Sequence, residues 1–308
     1  MKKPKHVIII GGGIIGGFAA YYLLEKGWSV TVVDKDRFGQ GASSGNCGLI
    51  VPNHILPLNS FETLTKGLKW MFFKDSPLYI KPRLDVSLIK WFYQFAWHAL
   101  PKAVIKSAMG RHALLQSSFK LYLAFIQAEN VVCDWTLGGS LHIYRSARLW
   151  EAYGKTDRFL RRFGIQAEVL DEEAVHKLVP TLGDDISGGW LYRQTAHLRP
   201  EQLLSELRHI LVDRGAQLLE NCPVGAIREE NGLAVSIVTK DKELSADAFV
   251  LATGAWAPEF EKVLGCSLPI QPGKGYSVTL DRPPVFPGIP CFFEEQSMVS
   301  TPWPDTCR

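Results

Sequence analysis

Three glycines near the N-terminus have the spacing of a phosphate-binding turn. Gly11, Gly13 and Gly16 stand in a G-x-G-x-x-G pattern directly after the β-branched run VIII. In such a turn the first glycine allows a tight bend, the second lets backbone approach a pyrophosphate, and the third lets a helix pack closely on a strand. The free N–H groups and the dipole of a helix that starts here favour phosphate oxygens. The spacing therefore predicts a dinucleotide site.

The flanking segments predict the elements that position these glycines. VIII is typical of a strand buried in a parallel sheet, and FAAYYLLEKG predicts a helix capped by Gly27. The predicted apolar face of this helix consists of Phe18, Ala19, Tyr22 and Leu23. SVTVVD predicts a second strand that ends on Asp34, about 20 residues after Gly11, where such folds carry an acidic residue for ribose hydroxyls. This βαβ unit leaves both NAD(P) and FAD open.

The composition excludes several classes of function. The 308 residues are 46% hydrophobic, which allows two domains and a large core. A formal net charge of +3 without a basic tail predicts no nucleic-acid partner. Six cysteines without a C-x-x-C pair or histidines at zinc spacing predict neither a metal site nor a disulfide scaffold. No apolar run reaches the length of a membrane span, and no signal-peptide cleavage site follows the short N-terminal run, so we expect a cytoplasmic protein.

The segment after the second strand favours FAD. Residues 37–54, RFGQGASSGNCGLIVPNH, are rich in glycine and small polar residues that can bring N–H groups and hydroxyls to a large polar ligand. An NAD-binding domain usually continues with a crossover helix and strand instead, although a plain surface loop has the same composition. Residues 247–256, DAFVLATGAW, predict another buried strand of the sheet, ending on small residues where open α/β sheets bind ligands. A β-meander with turns at ENG and KDKE precedes it.

These segments resemble the FAD-dependent D-amino-acid dehydrogenase family, within the D-amino-acid oxidase and glycine oxidase group. The matching segments, in family order, are IIGGGIIG, the strand end at Asp34, SSGNCGLIVP, GLKWMFFKDSPLYIKP, GGSLHIYRS, PVGAI, ATGAW and PGKGYSVT. The resemblance implies an α/β fold, with a Rossmann-like FAD-binding domain and an inserted α+β substrate domain built on a mainly antiparallel sheet. It assigns residues 1–51 and 196–268, which include the β-meander, to the FAD-binding domain, and residues 52–195 and 269–308 to the substrate domain.

The resemblance also implies which residues hold non-covalent FAD. Gly11, Gly13 and Gly16 would bind the pyrophosphate, and Asp34, with the adjacent Lys35, would bind at the adenosine ribose. The other implied cofactor-binding residues are Ser43, Ser44, Asn46 and Gly48 along the pyrophosphate and flavin, Val224 at the adenine, and Gly254, Ala255 and Trp256 over the middle of the cofactor.

The implied reaction is oxidation of a small amino acid, of D configuration, to an imino acid that hydrolyses to the 2-oxo acid and ammonia. The hydride would pass to flavin N5. Relatives use an arginine and a tyrosine for the substrate carboxylate; GKGYS offers Lys274 and Tyr276, and His54 is a candidate lining residue. The alternatives are a packed strand end for the pair and an ordinary hydrogen-bonded histidine. His197 is more similar to glycine oxidases, so a glycine or sarcosine oxidase-like enzyme that uses oxygen stays open.

Residues 61–105 combine basic and aromatic side chains. Six lysines and one arginine stand against three acidic residues in this segment. Its aromatic residues include Trp70, Phe72, Phe73, Trp91, Phe92, Tyr93, Phe95 and Trp97. The combination suits a peripheral contact with the inner face of the cytoplasmic membrane, where quinone or the respiratory chain rather than oxygen would accept the electrons. Aromatic helices packed on the cofactor domain, with solvated lysines, are the favoured alternative.

The C-terminal segment bears on activity. Its last forty residues predict strands of the substrate sheet separated by proline-rich turns. Members of the resembling family continue with further strands, a carboxylate-binding arginine and a glycine-rich segment beside the flavin, which have no match up to Arg308. We therefore expect a C-terminally truncated chain. A catalytically incompetent FAD-binding fragment is the alternative to an active FAD-dependent amino-acid dehydrogenase or oxidase.

Overall fold

The computed structural model describes residues 5–59 and 86–308. The chain divides into two compact units. Among the described residues, unit 1 comprises 5–46, 131–133 and 199–276, and unit 2 comprises 47–59, 86–130, 134–198 and 277–308. The glycine turn therefore lies in unit 1, together with the strand that ends on the predicted ATGAW segment.

Many short strands and fewer helices make up both units. In chain order the strands are β1 (His6–Ile10), β2 (Ser29–Val33), β3 (Leu49–Ile50), β4 (Thr136–Leu137), β5 (Ser140–Tyr144), β6 (Glu168–Asp171), β7 (Gly188–Tyr192), β8 (Ala196–His197), β9 (Gln217–Leu219), β10 (Val224–Glu230), β11 (Leu233–Thr239), β12 (Glu243–Ser245), β13 (Ala248–Leu251), β14 (Leu280–Asp281), β15 (Cys291–Phe293), β16 (Met298–Ser300) and β17 (Thr306–Cys307). The helices of the described residues are α1 (Ile14–Glu25), α2 (Val86–Trp97), α3 (Pro101–Glu129), α4 (Ala147–Arg161), α5 (Glu172–Leu178), α6 (Pro200–Asp213) and α7 (Glu261–Leu264).

Unit 1 is built on a parallel sheet with the strand order β13-β1-β2-β9. The central strand β1 is buried from Val7 to Ile10, as its β-branched sequence predicts. β13 is only half-buried, although DAFVL predicts a buried strand. The carboxyl ends of β1, β2 and β13 lie at one edge of the sheet, and the glycine turn follows β1 at that edge.

Helix α1 packs mainly through its small residues. Its buried residues are Gly16, Gly17, Ala20 and Tyr21. The predicted apolar face of Phe18, Ala19, Tyr22 and Leu23 is only half-buried. The close approach of α6 explains the difference, because a methyl group built on Gly17 would lie 2.7 Å from Leu207 Cδ2. Hydrophobicity alone therefore pointed to the wrong side of α1.

Helix α6 agrees with its sequence pattern. It starts at Pro200, which suits the first turn, and Gly215 follows it with a φ of +86°. Leu203, Leu204, Leu207 and Leu211 are buried along one face. The same unit contains the antiparallel sheet β10-β11-β12, whose Ile237 packs in a cluster with Ile8, Ile10 and Val33.

Unit 2 contains a five-stranded sheet with the order β16-β15-β5-β7-β6. Only the β15–β5 pair is parallel, so the sheet is mainly antiparallel, as the resemblance implies. Residues Ala108 of α3 and Leu160 of α4 pack in one cluster with Tyr144 and Trp190 of the sheet. Val175 of α5 packs in a second cluster with Leu141, Ile143 and Leu191, which alternate with the first set along the strands.

Candidate dinucleotide-binding site

The glycine turn is closed by backbone on both sides. Gly11 has a φ of +108°, and a methyl group built on it would collide with the carbonyl oxygen of Ala252, after β13. A methyl group on Gly16 would collide with the carbonyl oxygen of Gly11. Only glycine fits these positions without moving backbone, so the turn and the start of α1 are held tightly at the carboxyl ends of β1 and β13.

Asp34 lies beside this turn and accepts two backbone hydrogen bonds. The N–H of Gly12 donates to its Oδ2 over 2.6 Å, and the N–H of Asp36 donates to its Oδ1 over 2.8 Å. A carboxylate oxygen can accept more than one hydrogen bond, so both oxygens retain capacity for ribose hydroxyls. The carboxylate is therefore fixed in direction by backbone and still able to bind a ligand.

Ser43 is placed at the N-terminus of α1. Its Oγ accepts a hydrogen bond from the N–H of Ile14 over 3.0 Å. A methyl group on Gly13 would lie 2.9 Å from that Oγ, so the second glycine of the motif makes room for the hydroxyl. The first turn of α1 contains no acidic residue. No acidic side chain of α1 itself therefore competes for the positive end of the helix, which suits an anionic phosphate.

Ser44 and Asn46 brace the turn that presents Ser43. The Oγ of Ser44 donates to the carbonyl oxygen of Gly41 over 3.3 Å. The Nδ2 of Asn46 donates to the carbonyl oxygens of Ala42 and Ser43, over 3.1 and 2.8 Å. These bonds shape the 3-10 turn Gly41–Ser43, so both side chains have a local structural role in addition to any contact with a ligand.

The other predicted residues of unit 1 surround the same sheet edge. The Nζ of Lys35 lies 3.7 Å from the ring centre of Trp256, a cation–π contact that sequence reasoning did not predict. Trp256 is 47% exposed and belongs to the 3-10 turn Gly254–Phe260, which also contains the exposed Ala255. Val224 begins β10 and packs in the cluster that contains Val33.

A buried hydroxyl supports the fit of a polar ligand here. Thr253 Oγ1 is buried and has no hydrogen-bond partner among the described residues. Thr253 directly follows β13, and its backbone nitrogen would lie 3.1 Å from a methyl group on Gly11. The glycine turn, the acid-free helix start, the Asp34 carboxylate and this hydroxyl form a donor and acceptor set that fits a dinucleotide.

Gly48 belongs to unit 2, unlike the other predicted cofactor-binding residues, which belong to unit 1. It has a φ of +67°, and its carbonyl oxygen accepts a hydrogen bond from the N–H of Leu198 over 2.9 Å. Its positive φ explains why glycine stands there, just before β3. Its role towards a cofactor stays a prediction.

His54 belongs to a cluster of titratable groups in unit 2. Its ring centre lies 5.7 Å from that of His142, and the Nδ1 of His142 lies 2.6 Å from Glu294 Oε1. Arg111 donates to the carbonyl oxygens of His54 and Ile55 over 2.9 and 3.1 Å. Burial lowers the pKa of His54 from 6.5 to about 4, with further lowering by His142. The histidine is therefore neutral at neutral pH.

Lys274 and Tyr276 lie on an irregular segment of unit 1. Residues 267–279 form no strand, so the predicted strand end is wrong. Tyr276 is 87% exposed, and the Nζ of Lys274 lies 5.1 Å from its ring centre. The pair is thus brought together, and its substrate-binding role stays a prediction.

In residues 5–59 and 86–308, no group of three His, Cys, Asp or Glu side chains is arranged to hold a metal ion. Over the same ranges, no helix combines the length and the apolar run needed to cross a bilayer.

The chain matches known proteins over most of its length. The model of the family DAO, described as FAD dependent oxidoreductase, matches residues 6–306. The D-amino acid dehydrogenase of Rhizobium rhizogenes is 31% identical over 281 residues, which cover 89% of this chain and 67% of that protein. The D-amino acid dehydrogenase of Agrobacterium fabrum is 28% identical over 309 residues, covering 98% of this chain and 71% of that protein. The chain thus spans about two thirds of the length of these relatives.

Solved structures share the fold. Glycine oxidase from Geobacillus kaustophilus aligns with a TM-score of 0.71 at 18% identity, covering 98% of this chain and 70% of that one. L-amino acid deaminase from Proteus myxofaciens, in complex with anthranilate, aligns with a TM-score of 0.68 at 14% identity, covering 100% of this chain and 58% of that one. At these identities the likeness is one of fold.

Proposed function

Because this chain belongs to the DAO family of FAD-dependent oxidoreductases, we propose that it oxidises a small D-amino acid to the corresponding 2-oxo acid with release of ammonia. The amino acid loses the Cα hydrogen as hydride and a proton from nitrogen, giving an imino acid that water hydrolyses. Bound FAD supplies the two-electron acceptor. The observation that carries the proposal is the convergence of the glycine turn, Asp34 and Ser43 at one sheet edge, in a chain whose relatives at about 30% identity are D-amino acid dehydrogenases.

The residues of unit 1 have distinct roles in this proposal. Backbone N–H groups at the start of α1 bind the pyrophosphate, and the Ser43 hydroxyl lies at the same helix end. Asp34 binds the adenosine ribose with the lone pairs that Gly12 and Asp36 leave available. We assign Lys35, Trp256 and the adjoining Gly254 turn to the middle of the cofactor, and the Lys35–Trp256 contact next to the carboxyl end of β13 supports this assignment.

The substrate-side residues are proposed from the chemistry of their side chains. Lys274 offers a cation, and Tyr276 a hydroxyl, for a carboxylate, and the two lie near each other. His54 offers a neutral imidazole, because burial holds its pKa at about 4. A pKa of about 4 makes this imidazole a weak base, so His54 is proposed as a lining residue rather than as a proton acceptor.

The proposed reaction is tested by its products. Purified protein supplied with FAD, an artificial electron acceptor and D-alanine is expected to release 2-oxo acid and ammonia in equal amounts, with L-alanine as the control for configuration. A panel that includes D-proline and glycine tests the alternative of a glycine oxidase-like substrate range, and oxygen without the artificial acceptor tests oxidase activity. Product from the L-amino acids alone, or from none of the panel, would contradict the proposal.

We further propose that quinone in the cytoplasmic membrane accepts the electrons and that the chain docks on the inner face of this membrane. Residues 61–85 of the predicted contact lie outside the described residues. In α2, Val86, Ile89, Tyr93 and Trp97 recur every three or four residues and are 83%, 59%, 67% and 60% exposed. An apolar stripe with Trp and Tyr suits a lipid interface.

The charge of the same region supports an anionic lipid surface. Between residues 86 and 128 the sequence contains no Asp or Glu. Its cations include the exposed Lys90 of α2 and the exposed Lys102 and Lys106 of α3. Each lysine near an anionic bilayer contributes about 1 kcal/mol, which is screened by salt.

Vesicle co-sedimentation tests this docking without any turnover. The protein is expected to bind phosphatidylglycerol-containing vesicles in low salt and to be released by high salt. Replacing Tyr93 and Trp97 by serine is expected to weaken binding at least about tenfold, since burial of two aromatic side chains in the interface is lost. Leu233→Ser is the control, because Leu233 is 70% exposed on the β-meander. Equal binding to neutral vesicles, or equal loss in the control, would contradict the proposal.

A further inference from the structure

The turn after β2 is tied to the end of β9. The N–H of Asp34 donates to the carbonyl oxygen of Leu219 over 2.9 Å. The N–H of Cys222 donates to the carbonyl oxygen of Asp34 over 2.8 Å, and the N–H of Asn221 donates to that of Asp36 over 3.0 Å. Backbone pairing thus continues beyond the last residue of β2, through the N–H and the carbonyl oxygen of Asp34 and the carbonyl oxygen of Asp36.

The Glu220 side chain completes this connection. Its Oε1 accepts a hydrogen bond from the N–H of Phe38 over 3.0 Å. Arg208 of α6 holds the same carboxylate with two bonds, from Nε to Oε1 over 3.2 Å and from Nη2 to Oε2 over 3.1 Å. The hydrogen bond from Arg208 is the main cause that lowers the pKa of Glu220. A two-bond arginine fork fixes the direction of a carboxylate better than a single contact does.

Phe38 transmits this placement to the glycine turn. Its side chain is only 8% exposed, and methyl groups built on Gly12 and Gly17 would lie 3.0 and 2.9 Å from its ring. The next residue, Gly39, donates its N–H to the carbonyl oxygen of Gly12 over 2.8 Å. The N–H of Gly12 in turn donates to Asp34 Oδ2 over 2.6 Å. Gly12 is therefore bonded on both of its backbone polar groups by the segment that Glu220 holds.

We propose that Glu220 and Arg208 form a clasp that positions the Asp34 carboxylate, and through it the Gly12 N–H of the glycine turn, for the adenosine half of the cofactor. Neither residue is assigned a contact with the ligand, so both are positioning residues. The inference rests on the proposed function only in taking FAD as the ligand. It adds Arg208 of α6 and Glu220, which directly follows β9, and the glycine-motif pattern includes neither of these elements.

Variants of the clasp are expected to lose ligand affinity without losing global stability. Glu220 and Arg208 lie near the surface, where an ion pair contributes little to global stability. Their effect is therefore expected in ligand affinity rather than in the unfolding midpoint. Because Glu220 acts through Asp34, the two positions should be coupled, and a variant changed at both should bind no more weakly than the Asp34 variant alone.

The test measures dissociation constants for FAD and for ADP, the adenosine half alone, on purified full-length chain. Glu220→Ala is expected to weaken both about tenfold, since a charge-assisted hydrogen bond to the turn is lost. Arg208→Gln, which leaves the bond to Phe38, is expected to give a smaller loss. Glu168→Ala is the matched control, because Arg193 holds Glu168 through two bonds in unit 2. Urea unfolding of each variant verifies that the fold is intact.

The variant changed at both Asp34 and Glu220 tests whether Glu220 acts through Asp34. Asp34→Asn with Glu220→Ala is expected to equal Asp34→Asn within a factor of about two. Additive losses in folded protein would overturn the positioning role, as would unchanged affinity in both Glu220→Ala and Arg208→Gln. Wild-type protein that binds neither FAD nor ADP would contradict the proposed function and the clasp together. Wild-type protein that binds both ligands, with the same affinities in Glu220→Ala and Arg208→Gln, would contradict the clasp alone.

Discussion

Gly16→Val is expected to give a protein that purifies without the visible flavin band. Any Cβ at this position collides with the carbonyl oxygen of Gly11, so α1 must move away from β1 and the phosphate turn must open. Overpacking of this kind costs up to about 3 kcal/mol, which corresponds to a loss of up to about 100-fold in affinity if it falls on the bound state. The measurement is the ratio of flavin to protein absorbance after FAD is added and free ligand removed.

Gly110→Ala is the matched control for that substitution. Gly110 lies in the interior of α3, and a methyl group built on it would meet nothing within 4 Å. Removing glycine from a helix interior should stabilise the fold by about 0.5–1 kcal/mol and leave the flavin content unchanged. Full flavin content in Gly16→Val would refute the role given to the turn.

Stability is expected to fall with acidity because His54 is buried in its neutral form. Its pKa is lowered to about 4 in the folded chain, from 6.5 in the unfolded one. The unfolded state therefore gains a proton first, and stability that is present above pH 6.5 is lost as the pH falls towards 4. The loss from this group amounts to about 3 kcal/mol at most. The titratable and charged groups that act on the His54 ring are His142, Glu294 and Arg111.

Urea unfolding between pH 7 and pH 4 checks this expectation. His54→Gln should flatten the decline in unfolding free energy over this range, while the exposed His209 of α6, replaced by glutamine, should leave it as in the wild type. An equally steep decline in His54→Gln would contradict the assignment of this acid sensitivity to His54.

Much of unit 1 was predictable because its signals are local. The strand VIII, the glycine spacing and the caps Gly27 and Gly215 predict β1, α1 and α6 from neighbouring residues alone. The buried side of α1 was not predictable from hydrophobicity. Gly16 and Gly17 are buried there because β1 and α6 approach closely, and closeness between elements distant in sequence leaves no periodic pattern.

The residues of the candidate site also fall into a group that the sequence predicts and a group that it does not. Asp34 was predictable from the βαβ unit alone, whereas Ser43 was predicted only through the family resemblance of the segment SSGNCGLIVP. Glu220 was not, because its partners Phe38 and Arg208 come from different elements and no motif links them. The strand predicted around Tyr276 fails because residues 267–279 pair with no neighbouring strand.

The most direct test of the account is the visible spectrum of purified protein, reconstituted with FAD and mixed anaerobically with D-alanine. We expect the flavin band to bleach with D-alanine and other small D-amino acids and to persist with the L-enantiomers. A protein that takes up no FAD would contradict the site, and a bound flavin that no amino acid in the panel bleaches would contradict the reaction.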